Sequence, residues 1–132
     1  MRTKRSLNEP MKFYAKLDKN TMSWLPLHIH ALDTAGIALK LWEEVIPDCI
    51  CKQWKDTLGS KTAVKQLIQF VSLAHDTGKL TADFQSMIQG KKSECMMRHE
   101  LSGEILLAKY GCPISVAAIV GAHHGTTQEK KL

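Results

Sequence analysis

The chain carries near its middle the stretch Leu73-Ala74-His75-Asp76-Thr77-Gly78-Lys79, which closes a segment with a helical apolar pattern. The adjacent His75 and Asp76 offer an imidazole nitrogen and a carboxylate at one place. A carboxylate can bridge two cations, and imidazole suits Mn, Fe, Co, Ni or Zn. Gly78 allows the chain to turn tightly beside them. A lone His-Asp pair is common, so this stretch indicates a metal site only if other segments bring further ligands.

Apolar residues recur at helical spacing on both sides of this stretch. Val64, Leu67, Ile68 and Val71 line one face of the segment that leads into it. No segment shows the sustained alternation that is typical of a half-buried strand. The sequence therefore predicts an all-α fold of five or six helices. We expect these at about 23–46, around Trp54, and at about 62–75, 81–89, 98–110 and 113–122.

Further histidines lie on three other predicted helices. His123 and His124 follow an apolar helix, and His99 begins another. His30 lies on the first helix with Asp33 three residues later, on the same face, where Asp33 could orient His30 or assist a metal. Side chains adjacent in a helix point about 100° apart. His123 and His124 would therefore serve two metals, or one would bind metal while the other holds substrate.

These histidines come from four helices, and facing helices of a bundle commonly build metal sites. The sequence thus predicts a metal cluster in the middle of the bundle. For each histidine taken alone, an exposed or hydrogen-bonded side chain is the competing interpretation. His28 points elsewhere on the first helix, and we expect it to be structural or exposed.

Composition sets the wider limits. The length of 132 residues suits one domain. The formal net charge of +5 fits a nucleic-acid partner, but it is weak evidence for one. We expect a polar lead-in at 1–22, the domain at 23–125 and a charged tail at 126–132. No signal peptide or membrane helix is predicted, and a reducing cytoplasm is the simplest setting. The four cysteines form no C-x-x-C pair, so a zinc ribbon is not expected; they are Cys49, Cys51, Cys95 and Cys112.

In their order along the chain, these motifs resemble the HD nuclease domain of the CRISPR-associated helicase-nuclease in type I systems. The histidine motifs are shared by all HD hydrolases, and Phe84-Gln85 narrows the match. The resemblance covers about residues 14–125. It rests on Tyr14-Ala15-Lys16, Trp24-Leu25-Pro26-Leu27, His30-Ala31-Leu32-Asp33, Leu73 to Lys79, Phe84-Gln85, Arg98-His99, Ser102-Gly103 and Gly121-Ala122-His123-His124-Gly125.

The resemblance implies an α-helical bundle that holds one or two divalent cations (Mn, Co, Ni, Fe or Mg) and cuts single-stranded DNA. It implies a helicase and a CRISPR surveillance complex as partners. Asp76 would be the bridging carboxylate, and Lys79 would contact phosphate or stabilise developing charge, with a solvated lysine at a turn as the alternative. By resemblance the metal ligands are His30, His75, Asp76, His99, His123 and His124.

One feature of the family pattern, an aspartate on a later helix, has no counterpart before Leu132. We therefore expect a bundle truncated before the family's later helices, which leaves two alternatives open. The chain would be a catalytically silent fragment that binds or inhibits the CRISPR machinery, or a small HD phosphohydrolase acting on nucleotides. Apolar surface left by a missing helix would also favour a homodimer.

Overall fold

A computed structural model describes residues 12–91 and 97–125 and confirms the all-α prediction. Within those residues the chain forms six helices, one 3₁₀ turn and a two-stranded hairpin. In chain order they are β1 (Tyr14–Leu17), β2 (Trp24–Pro26), α1 (Leu27–Glu44), α2 (Asp48–Leu58), α3 (Lys61–Ala74), the 3₁₀ turn (Thr77–Leu80), α4 (Ala82–Ile88), α5 (His99–Lys109) and α6 (Ile114–Gly121).

The helix ends follow the local signals in the sequence. Pro26 precedes α1, where its missing N–H costs no helical hydrogen bond. The Ser60 hydroxyl caps α3 by accepting a hydrogen bond from the Ala63 N–H, and Thr81 caps α4 in the same way. Gly59 ends α2 with a φ of 86°, a backbone conformation that favours glycine.

The hairpin corrects the prediction for the start of the chain. Residues 1–22 were expected to be a polar lead-in and the first helix to begin at about residue 23, but Tyr14–Leu17 pair antiparallel with Trp24–Pro26 and α1 begins at Leu27. The strands are too short to show an alternating pattern. Their position is fixed by Gln85, whose side chain accepts from the Tyr14 N–H at 2.9 Å and donates to the Tyr14 carbonyl at 3.0 Å. Residues 1–11 and the predicted tail at 126–132 lie outside the described residues.

Two packing layers bring the ends of the helices together. Helix α1 packs along α3, while α5 packs against both the 3₁₀ turn and α6. Val64 and Val120 are completely buried between these layers. Gly78 of the 3₁₀ turn lies directly against α5, where a Cβ atom would come within 1.7 Å of the His99 carbonyl oxygen. The absence of a side chain at Gly78 therefore allows the segment after α3 to touch the start of α5.

The cysteines within the described residues are free thiols. Cys49, Cys51 and Cys112 are unpaired, and Cys95 lies outside the described residues. No helix in the described part of the chain has the length and apolar character that crossing a membrane requires. Helix α1 leaves an apolar face uncovered, with Leu32 and Ile37 more than half exposed.

The Gly78 contact gives a direct test of this packing. We predict that Gly78→Ala lowers the free energy of unfolding by about 3 kcal/mol or more, because the new methyl group overlaps backbone atoms that have no room to move. Gly36→Ala is the matched control, since nothing lies within 4 Å of a Cβ at that position of α1. It should stabilise the helix by about 0.5–1 kcal/mol. Urea unfolding of both variants measures the difference, and equal stabilities would contradict this packing.

Candidate metal centre

Asp76 lies at the centre of the candidate site, directly after α3, with only 3% of its surface exposed. Its Oδ2 atom is 3.1 Å from His30 Nε2 and 3.3 Å from His75 Nε2. The same oxygen accepts a hydrogen bond from Lys79 Nζ at 2.6 Å. The two histidine nitrogens are themselves 3.2 Å apart. One carboxylate oxygen thus meets a histidine of α1, the histidine that follows α3 and a cation from the 3₁₀ turn.

The second carboxylate oxygen of Asp76 faces the other two helices. Oδ1 is 3.3 Å from His99 Nε2, at the start of α5, and 3.6 Å from His123 Nε2, after α6. His124 joins this side, with its Nε2 3.1 Å from that of His99. The structure therefore brings all six predicted ligands together. They form two groups, and within each group the ligand atoms lie within 4.8 Å of one another. The first group is His30, His75 and Asp76, and the second is His99, His123 and His124.

Backbone carbonyls fix the orientation of two of these rings. His75 Nδ1 donates to the Ser72 carbonyl at 2.7 Å, and His123 Nδ1 donates to the Val120 carbonyl, also at 2.7 Å. In a neutral imidazole that donates from Nδ1, the Nε2 atom carries a lone pair. Both rings therefore present a metal-binding nitrogen to the centre of the site.

This geometry leaves two buried acceptors facing each other. Asp76 Oδ1 and His123 Nε2 are both buried and have no hydrogen-bond partner among the described residues. Buried polar atoms without partners are rare and costly. A cation between them would satisfy both atoms at once. The residues present therefore fit a divalent metal, with nitrogen and carboxylate ligands of the kind that Mn, Fe, Co, Ni or Zn accept.

The electrostatics keep three of the candidate ligands, Asp76, His30 and His123, in the forms that bind metal. Burial by itself raises the pKa of Asp76, but the neighbouring His75, His99 and Lys79 outweigh burial and hold that pKa well below its usual range. Asp76 is therefore anionic. Burial lowers the pKa of His30 and of His123, which favours their neutral, metal-binding forms. His75 differs, because its hydrogen bond with Asp76 raises its pKa.

Lys79 is part of the site and not a solvated lysine at a turn. Only 12% of its side chain is exposed, and its ammonium group lies 5.6 Å from the centre of the Phe84 ring. The same ring packs edge-on against His99 at 5.4 Å. Phe84 therefore lines the site beside both residues.

Two expectations drawn from helical spacing are wrong. His123 and His124 do not lie on a helix, because α6 ends at Gly121, so the 100° separation does not apply. Their ring centroids are 4.3 Å apart, with the ring planes tilted by 41°, and both residues share one group with His99. Asp33 is exposed, and no contact between it and His30 is found within the described part of the chain. The carboxylate that meets His30 is that of Asp76.

The sequence analysis gave no structural role to two residues that hold the site in place. Gln85 donates to the Lys79 carbonyl at 2.8 Å while it holds β1, so it ties the hairpin to the turn that carries Lys79. Glu100 is 3% exposed, and its Oε2 atom is 3.3 Å from His99 Nδ1. The signal for Glu100 was its place directly after a candidate ligand, where an acidic residue can orient the imidazole.

A cleft of about 550 Å³ lies beside the centre, with Asp76 in its wall. Most of its lining is apolar, and Phe13 and Trp24 contribute aromatic rings. His28, expected to be structural or exposed, is exposed and lines this cleft with Lys12. An elongated ligand that lies in the cleft would therefore reach the metal centre.

Comparison with known proteins gives a match to a curated relative and to a family model. The chain is 28% identical to the CRISPR-associated nuclease/helicase Cas3 of Streptococcus thermophilus over 149 aligned positions, which cover 86% of this chain and 16% of that relative. The chain thus spans about a sixth of the length of the curated relative that it matches. No solved structure gives a significant match. The family described as "Cas3, HD domain" matches residues 14–132, and with this match the chain belongs to the Cas3 HD domain family.

Proposed function

We propose that this chain is a metal-dependent nuclease domain that cuts single-stranded DNA in CRISPR defence. The observation that carries the proposal is the pair of facing acceptors, Asp76 Oδ1 and His123 Nε2, inside a ring of further histidines. Membership of the Cas3 HD domain family and the name of the Streptococcus thermophilus relative support it. The net charge of +5 suits a polyanionic substrate.

The proposed chemistry divides between bound metal and the protein. Divalent cations, when bound, supply Lewis acidity at phosphorus and a water of lowered pKa. Asp76 would hold them from both its oxygens, with His30 and His75 on one side and the remaining histidines on the other. Lys79, 2.6 Å from Asp76 Oδ2, places a positive charge where the phosphate gathers negative charge in the transition state.

The cleft beside Asp76 supports a single-stranded substrate. Trp24 is 41% exposed and packs edge-on against Tyr14 at 5.0 Å, so its ring is held in place. Unpaired bases stack on such aromatic rings, whereas bases in a duplex are already stacked on one another. We therefore propose that a base next to the cleaved phosphate lies in this cleft.

The alternative functions are separated by assays on the same preparations. Release of phosphate from nucleotides, with DNA left intact, would favour a small phosphohydrolase. Absence of both metal binding and cleavage would favour a silent binding fragment. The helicase, surveillance-complex and homodimer contacts remain predictions, and the exposed apolar face of α1 supports a protein partner there.

We predict that Asp76→Asn reduces metal-dependent cleavage of labelled single-stranded DNA by roughly 100-fold or more, because the metals lose their shared anionic ligand. Asp33→Asn makes the same chemical change at an exposed site on α1 and should leave cleavage unchanged. The assay adds Mn, Co, Ni, Fe and Mg singly. Cleavage by Asp76→Asn at the wild-type rate would contradict the proposed role of this residue.

We also predict that Trp24→Ala weakens binding of single-stranded DNA roughly 5- to 150-fold, the range expected for the loss of one stacked base. Trp54→Ala is the matched control, since Trp54 is 42% exposed but lies on α2, where it packs against Trp42. Fluorescence anisotropy without added metal measures affinity while the DNA stays intact. If both variants bind alike, the cleft does not hold a base.

A further inference from the structure

His99 holds the central position in the second ligand group. Its Nε2 atom is 3.3 Å from Asp76 Oδ1 and 3.1 Å from His124 Nε2. Its ring also packs against that of His123, with centroids 5.4 Å apart. A rotation of the His99 ring would therefore disturb the link between Asp76 and the histidines that follow α6.

The other two oriented histidines use a device that His99 lacks. His75 and His123 each follow a helix, and each donates from Nδ1 to the carbonyl three residues earlier, which lies in the last turn of that helix. His99 is the first residue of α5, so no preceding helical turn provides such a carbonyl. The partner of its Nδ1 is instead the Glu100 side chain, whose Oε2 atom is 3.3 Å away.

Glu100 is itself held firmly. Its side chain is 4% exposed, and its other carboxylate oxygen forms an ion pair with Arg98. It lies in the first turn of α5, where the unpaired N–H groups of the helix favour a negative charge. A buried carboxylate without such partners would be strongly destabilising. The local structure thus holds the Glu100 carboxylate, as an anion, beside His99 Nδ1.

We propose that Glu100 is a positioning residue that keeps His99 in the tautomer with hydrogen on Nδ1 and a lone pair on Nε2 that points into the centre. A carboxylate that accepts from the outer nitrogen of a ligating imidazole also strengthens the bond between that imidazole and the metal. The inference deepens the proposed function, on which its metal-binding part rests.

The test reads the tautomer of His99 from the ¹⁵N chemical shifts of its ring in metal-free protein at a pH where the imidazole is neutral. We expect the Nδ1–H form in the wild type and in Glu100→Gln, because an amide oxygen still accepts the hydrogen bond. Glu100→Ala should shift His99 toward the Nε2–H form. In a calorimetric titration with Mn²⁺, the alanine variant should bind about 10- to 100-fold more weakly than wild type, and the glutamine variant should lie between.

Glu44→Gln is the matched control, because Glu44 is an exposed glutamate on α1 that pairs only with Lys40 among the described contacts. It should change neither measurement. A folded Glu100→Ala variant with the wild-type tautomer and the wild-type Mn²⁺ affinity would overturn the proposal. If that variant does not fold, an Nε2–H form in the wild type, or a glutamine variant with full affinity, would overturn it equally.

The design separates this inference from the proposed function. If the wild type binds no Mn²⁺ and cuts no DNA, the proposed function fails, and the metal-free spectra still decide whether Glu100 sets the tautomer. If the wild type binds Mn²⁺ and cuts DNA while Glu100→Ala does both equally well, only the role of Glu100 fails.

Discussion

The buried carboxylate of Asp76 is the constraint on which the rest of the structure depends. An anion with 3% exposure is tolerated only where cations or hydrogen-bond donors surround it. Here Lys79 supplies one charge, and histidines from four parts of the chain supply the other neighbours. The helical bundle brings these groups to the two carboxylate oxygens of Asp76. Its apolar layers place the helix ends, and the helix ends place the ligands.

The contacts around the centre show how closely this scaffold is specified. Gly78 allows the turn after α3 to touch α5, and Gln85 joins that turn to the hairpin. Each contact is remote from the metal ligands in sequence but adjacent to them in space. The same logic applies to Glu100, which orients a ligand at a helix start where no helical carbonyl is available. Residues that are not candidate metal ligands thus determine the orientation of the candidate ligand atoms.

Much of this was predictable from local patterns, and the failures have physical causes. The helical spacing of apolar residues placed the helices, because this pattern is contained within each segment. The six candidate ligands were predicted from their residue types and the resemblance. The hairpin was missed because Gln85, far away in sequence, fixes β1. Asp33 was wrongly expected to orient His30, because helical spacing shows which residues share a face of a helix but not which other segment packs against that face. His123 and His124 share one ligand group because α6 ends two residues before them.

Anomalous diffraction from Mn²⁺-soaked crystals would show whether Asp76 and the surrounding histidines hold divalent metal. We expect a strong anomalous peak between Asp76 and the histidine Nε2 atoms, at roughly 2.0–2.3 Å from its ligands. Two peaks that share Asp76 would show that both ligand groups bind metal. Crystals without a peak among these residues, or with Mn²⁺ bound elsewhere and this site unchanged, would rule out a metal centre at Asp76.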